Sequence, residues 1–203
     1  MFETNHTKFV LASSSPTRAQ LLENTGLSFE ISPPNIDETA IKEAFQIEDM
    51  QPSDLAELLA ETKATEVVKK HQDAIIIGTD QVLALGSEIL SKPHNKDEAY
   101  ATLFKLRGKT HKLISAIILV KNEEVIWRHS STAELTMREF SPEFLGHYIA
   151  HAGEGLFASP GAYQLEFLGI HLFEEIKGDY FTILGFPILS LLTVLREKGY
   201  IDQ

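Results

Sequence analysis

The chain has no cysteine, a single tryptophan and only three methionines in 203 residues. Without cysteine there can be no disulfide and no thiolate nucleophile, and the composition suits a reducing compartment. Positive charge is also scarce. Eighteen Lys and Arg face 29 Asp and Glu, a formal charge of −11. That balance argues against a surface built to coat nucleic acid, while leaving room for a small basic pocket. Long hydrophobic runs are missing: the longest, residues 181–195, is broken by Gly185, Pro187 and Ser190, so no membrane span is predicted. The first eight residues lack the apolar core of a secretory signal, and a cytoplasmic protein is expected. No serine sits in GxSxG. His147 and His151, four apart, lack the glutamate of HExxH, so neither serine-hydrolase nor zincin chemistry is indicated. There is no internal repeat, low-complexity tract or flexible linker.

What is present reads as a mixed α/β chain, with 43% apolar and 23% charged residues. A buried strand at 9–12 runs into Ser13-Ser14-Ser15-Pro16 and then a helix carrying Leu21 and Leu22. Serine suits the N-cap and proline the first turn, so the junction offers free backbone N–H groups and a positive dipole end. The spacing predicts a strand at 27–31, an ordered loop at 32–38 stiffened by Pro33 and Pro34, and a helix at 54–71 capped by Ser53. An apolar strand at 74–78 ends in Thr79-Asp80-Gln81 and resumes at 82–85, with a hairpin turn at 86–88. Asn95 and Glu98 open a helix that stops at Gly108, and strands follow at 109–120 and 125–137. Ser141 and Pro142 start a helix to 152. A glycine-rich stretch leads to a strand at 170–175, a turn at 178–182 and a closing helix from Pro187 to 198. Hairpins and crossovers together predict a mixed sheet.

Several residues carry possible chemistry. The strand–helix junction, with Ser13, Ser15 and Arg18, is suited to phosphate; the plain alternative is an ordinary capped turn. Asp80, an acid closing a buried strand, is costly unless bonded or liganding, and strand ends are where α/β sheets bind ligands; otherwise it caps a turn. Asp37-Glu38 is a loop carboxylate pair, and loop carboxylates are mostly solvated. Lys92 beside Pro93, and Lys63 on a helix, are possible phosphate contacts; for Lys63 an i,i+4 ion pair is the ordinary explanation. Residues 161–166 combine small residues that let a ligand approach with Gln164 and Glu166, which can read a base edge; the plain alternative is a tight loop.

In order along the chain, Leu11-Ala12-Ser13-Ser14-Ser15-Pro16 with Arg18, Ile36-Asp37-Glu38 and Gly78-Thr79-Asp80 form three conspicuous segments. Lys92-Pro93 followed by Leu106-Arg107-Gly108-Lys109-Thr110-His111 is a fourth. The fifth runs from Gly161-Ala162-Tyr163 through Gly178-Asp179-Tyr180 to Gly185-Phe186-Pro187. Together they resemble the Maf-like nucleoside triphosphate pyrophosphatases over nearly the whole length. The resemblance implies one domain over 1–203: a mixed, curved sheet with flanking helices in two interwoven lobes around a deep cleft, usually as a homodimer. It implies hydrolysis of a nucleoside triphosphate to monophosphate and pyrophosphate with Mg2+ or Mn2+, in nucleotide-pool housekeeping. The family is also tied to septum formation, so a nucleotide-binding regulator of division with little turnover is the alternative. By motif, Asp80 would be the general base and Glu38 a metal or water-positioning carboxylate, with both as metal ligands. Ser13, Arg18, Lys63 and Lys92 would touch phosphate.

The departures bear on substrate. Thr17 stands where the family has arginine, or tryptophan in a branch favouring 7-methylguanosine triphosphate, and Ala19 where arginine is frequent. Gln81 and Glu166 match the methylguanine branch. A carboxylate accepts from both N–H donors on guanine's pairing edge but meets an acceptor on uracil or thymine. A guanine-like or modified base is therefore expected. Thr182 replaces a frequent asparagine.

Overall fold

The computed structural model describes residues 7–46 and 51–202; residues 1–6 of the stretch expected to lack a signal core lie outside them. In chain order the elements are β1 (Lys8–Ala12), α1 (Pro16–Glu23), β2 (Phe29–Ile31), α2 (Glu38–Gln46), α3 (Pro52–Val68), β3 (Ala74–Leu85), β4 (Glu88–Leu90) and α4 (Lys96–Leu106). There follow β5 (Thr110–Lys121), β6 (Glu124–Met137), α5 (Pro142–Ala152), β7 (Phe173–Lys177), α6 (Tyr180–Ile183) and α7 (Ile188–Glu197). The strands form one mixed seven-stranded sheet in the order β2-β1-β3-β5-β6-β7, with β4 on β3. The expected architecture of a mixed sheet with flanking helices is present. The chain divides into two compact units, one of residues up to 81, 115–131 and 185 onward, the other of 82–114 and 132–184.

In the first unit β1 is parallel to both neighbours, Phe9 facing Phe29 on β2 and Ile75 on β3. Phe9, Val10, Leu11 and Ala12 are buried, which suits an inner parallel strand covered on both faces. Helix α1 starts as expected, with Pro16 first and the Ser15 hydroxyl accepting from the Arg18 N–H at 3.4 Å. Helix α3 starts earlier than the spacing predicts. Pro52 takes its first position and the Asp54 carboxylate accepts from the Gln51 N–H at 3.0 Å, so Ser53 is not the cap. Helix α2 was not anticipated: the stiff loop ends at Asp37, whose carboxylate accepts from the Ala40 N–H at 3.0 Å and starts it.

The second unit packs α4 and α5 around Leu103, Leu106, Leu135, Met137, Leu145 and Leu172. Asn95 caps α4 as expected, accepting from the Glu98 N–H at 2.9 Å, and Gly108 ends that stretch at φ +65°. Strand β7 begins later than predicted because Leu168–Leu172 forms a 3-10 turn. Residues 180–183 are a short helix rather than a bare turn, since the Asp179 carboxylate accepts from the N–H of both Phe181 and Thr182.

His111 of β5 is buried in this unit, its Nε2 2.7 Å from the Tyr163 hydroxyl. Burial pushes its pKa down to about 4. The unfolded chain, at an ordinary value near 6.5, therefore takes up the proton first as pH falls. The stability held by neutral His111 is complete above that point and lost by pH 4, roughly 3 kcal/mol in all. Urea titrations at the two ends of this window should show the loss, and His111→Leu should remove that part of the pH slope.

Candidate functional site

Strand β1 stops at Ala12, which pairs with Gly78, while β3 runs on past that point. The chain leaves β1 for β2 on one side and later returns to β3 on the other, so strand order reverses at β1. In parallel sheets such a reversal leaves a crevice outside the carboxyl ends of the strands. Ser13-Ser14-Ser15 lies there. The Ser13 hydroxyl accepts from the Ser15 N–H at 3.2 Å, a local bond that shapes the turn. Thr17 is half-buried on α1.

Arg18 reaches inward from α1. Its Nε donates to the Gly185 carbonyl at 2.9 Å and its Nη1 to the Thr79 carbonyl at 3.1 Å. Burial pulls its pKa down, and the charges of Asp80 and Glu38 pull it back up. The sequence offered Arg18 as a phosphate contact; the structure ties two of its donors to backbone. The Thr79 hydroxyl also donates to the Gly185 carbonyl, at 3.3 Å. Gly185, at φ +84°, has a backbone that favours glycine, and a Cβ there would stand 3.3 Å from the guanidinium, a tight contact.

Asp80 does not close a strand. It lies inside the unbroken β3, at 6% exposure. Such an acid is tolerable because a cation meets it. Lys63 of α3, 7% exposed, brings its Nζ to 2.5 Å from Asp80 Oδ1 and 2.7 Å from Glu38 Oε1. Its partners are a strand residue and the first residue of α2, not a neighbour one turn along its own helix. Lys42 lies 3.6 Å from the other Glu38 oxygen.

The reason Lys63 arrives there is a close helix–strand approach. Ala60, Lys63 and Ala64 share one face of α3 by helical periodicity. A Cβ on Gly78 would lie 2.2 Å from the Ala60 carbonyl oxygen and 2.7 Å from the Ala64 Cβ, so only glycine lets α3 come this near. Beside Asp80, Gln81 donates to the buried Ser115 hydroxyl at 3.0 Å. Lys42 and Ser115 were not singled out in the sequence, and Thr79 and Gly185 stood there only as members of motifs, without a role of their own.

The structure gathers Ser13, Ser15, Thr17, Arg18, Glu38, Lys63, Asp80 and Gln81 in the first unit. Lys92, Gln164 and Glu166 belong to the second. Lys92 is exposed beside the buried Pro93, and Gln164 and Glu166 are half-buried. Their loop is tightly held. Ala162 sits fully buried at φ +57°, and the Gln164 carbonyl accepts from the N–H of Phe167 at 3.2 Å and of Gly169 at 3.1 Å. The Tyr163 ring, fixed by His111, anchors the middle of that loop.

Chemically, the first unit offers two carboxylates converging on one cation, and the same unit holds a helix start whose Ser15 and Arg18 N–H groups are met by serine hydroxyls. Oxygen donors of this kind suit a hard dication such as Mg2+ or Mn2+, and a carboxylate can hold and deprotonate water.

Residues 8–198 match the family model described as Maf-like protein. A 7-methyl-GTP pyrophosphatase of Rhizobium meliloti is 49% identical over 193 residues, 95% of this chain and 97% of that protein. A nucleoside triphosphate pyrophosphatase of Paramagnetospirillum magneticum is 45% identical over 190 residues, 94% of this chain and 98% of that one. Among solved structures, a nucleoside-triphosphatase (dITP/XTP pyrophosphatase) from Mycobacterium abscessus covers 95% of each chain at TM-score 0.41 and 15% identity, too remote a likeness to argue from. On the strength of the family match and these relatives, the chain belongs to the Maf-like protein family.

Proposed function

We propose that the protein is a nucleoside triphosphate pyrophosphatase, cleaving a triphosphate to monophosphate and pyrophosphate, with a 7-methylated guanine nucleotide as the preferred substrate. The observation that carries the reading is the meeting of Asp80 and Glu38 at the buried Lys63 ammonium, in the unit that also holds the Ser13–Arg18 turn. The names borne by relatives at 45% and 49% identity support it.

In this reading Asp80 takes the proton from the water that attacks the α-phosphorus, and Glu38 orients that water. Ser13, Ser15 and the helix start hold phosphate oxygens through hydroxyl and backbone donors. Lys63 and Lys92 balance phosphate charge, and Arg18 adds its remaining donors. The carboxylate pair is an all-oxygen donor set that fits a magnesium or manganese ion, with Glu38 and Asp80 as its protein ligands. That ion would offset charge on the leaving pyrophosphate. By the family motifs, Gln81, Gln164 and Glu166 are assigned to reading the base, with Thr17 in place of an aromatic stack. A cytoplasmic homodimer belongs to the same reading, and light scattering on purified protein checks the assembly.

A panel of standard and methylated triphosphates, assayed separately for pyrophosphate and orthophosphate, tests the proposal. Pyrophosphate with a preference for methylated guanine is expected. Orthophosphate alone would mean a general phosphatase, and binding without turnover a regulator. Glu166→Gln should lower kcat/KM for the guanine substrate about 10- to 100-fold, the worth of a charged hydrogen bond, and shift preference toward pyrimidines. An unchanged profile would remove Glu166 from base reading.

A further inference from the structure

Among the described residues, Lys63 carries an ammonium that is buried and shared between two carboxylates. We infer that Lys63 is a resident counter-ion. In the nucleotide-free protein it occupies the place between Glu38 and Asp80 and keeps the carboxylate pair from taking up a divalent ion, until a triphosphate gives the ammonium another partner. The inference deepens the proposed function and rests on its divalent-metal element.

Three features converge on it. First, the pair is already compensated. Two negative charges face Lys63, with Lys42 at the far Glu38 oxygen and the Arg18 guanidinium in the field of both acids. A dication entering this set would meet a buried ammonium at contact range, where repulsion is poorly screened. Second, the donor set is thin. Among the described residues no group of three or more His, Asp or Glu could hold a metal ion. Magnesium dehydrates reluctantly and is ordinarily held by one or two carboxylates together with substrate phosphates. A triphosphate supplies both missing elements, oxygen donors for the ion and negative charge for the lysine.

Third, the exchange is mechanically simple. The contacts of Ala60 and Ala64 with Gly78 hold the backbone of α3, so the four-carbon stem of Lys63 swings while its helix stays in place. Lys63 is then a positioning residue for ion entry, and it sets an order: the nucleotide must accompany the ion.

Manganese binding to the full chain, read from the free-ion electron paramagnetic resonance signal with no nucleotide present, tests this without any turnover. Wild type should take up manganese only weakly. Lys63→Met should bind one ion at least about tenfold more tightly, and adding Asp80→Asn should abolish the gain. Wild type binding as tightly as Lys63→Met overturns the inference. Should Lys63→Met not fold, the wild-type protein decides through the side-chain resonance of Lys63. Magnesium alone should leave it unmoved, and magnesium with a non-hydrolysable triphosphate should displace it; displacement by magnesium alone overturns the inference. A protein that shows this order but cleaves no nucleotide defeats the proposed function and leaves the inference standing.

Discussion

Asp80→Asn removes pyrophosphate release, cutting kcat by about 10²- to 10⁴-fold, the contribution of a positioned general base, while KM changes little. The substitution keeps shape and volume in a position only 6% exposed, so packing is not the variable. Two things change. The amide neither accepts the proton from water nor holds the divalent ion as a carboxylate does, and Lys63 loses one of its two carboxylate partners. Removing one member of a buried pair ordinarily costs about 3–5 kcal/mol because the other charge is left alone. Here Glu38 Oε1 stays within 2.7 Å of the ammonium, so the expected loss is smaller and the variant folds. A thermal melt beside the pyrophosphate assay separates the two effects. A folded variant with full activity would take Asp80 out of the mechanism.

The same strand shows what the sequence could and could not convey. Thr79-Asp80-Gln81 reads as a break in an apolar run because polar side chains are costly inside a sheet. The backbone ladder is indifferent to that polarity, and β3 continues through all three. Each finds its own partner: the Gly185 carbonyl for Thr79, Lys63 for Asp80 and Ser115 for Gln81. Those partners come from the closing segment, a helix and another strand, and no local pattern joins them to residues 79–81. Three of the caps, by contrast, were legible, though Ser53 was not one. Ser15-Pro16, Asn95 with Glu98 and Ser141-Pro142 each place a side-chain acceptor within three residues of the N–H it serves. Helix α2 is masked by Pro33 and Pro34, which forbid helix just before it, although Asp37 accepts from the Ala40 N–H as an N-terminal cap does. Lys63 was hardest to read. Its signal was the pair of alanines at positions 60 and 64, a small-residue face that only makes sense once Gly78 is known to lie beneath it.

That face carries the second large prediction. Gly78→Ala should lower both stability and turnover, because the new methyl would lie 2.2 Å from the Ala60 carbonyl oxygen. The obstacle is backbone, not the end of a flexible side chain, so no rotamer change relieves it and α3 must move outward. Overpacking of this kind costs about 1–3 kcal/mol, occasionally more. In a chain of 203 residues that lowers the melting temperature by about 2–4 °C per kcal/mol. The larger effect falls on the site. Lys63 projects from the same face as Ala60 and Ala64, so lifting α3 draws its ammonium away from Asp80 and Glu38. Turnover should fall more than the stability loss alone explains, and it should stay low at temperatures where the variant is fully folded. Ala64→Gly should not restore it, since the nearest clash is with the Ala60 main chain. Gly146→Ala serves as the control. It lies within α5 with nothing inside 4 Å of the added methyl, and alanine is favoured over glycine in a helix by about 1 kcal/mol. Stability should hold or rise there, with turnover unchanged. If Gly78→Ala behaves like Gly146→Ala, then α3 does not lie this close to β3, and the placement of Lys63 must have another cause.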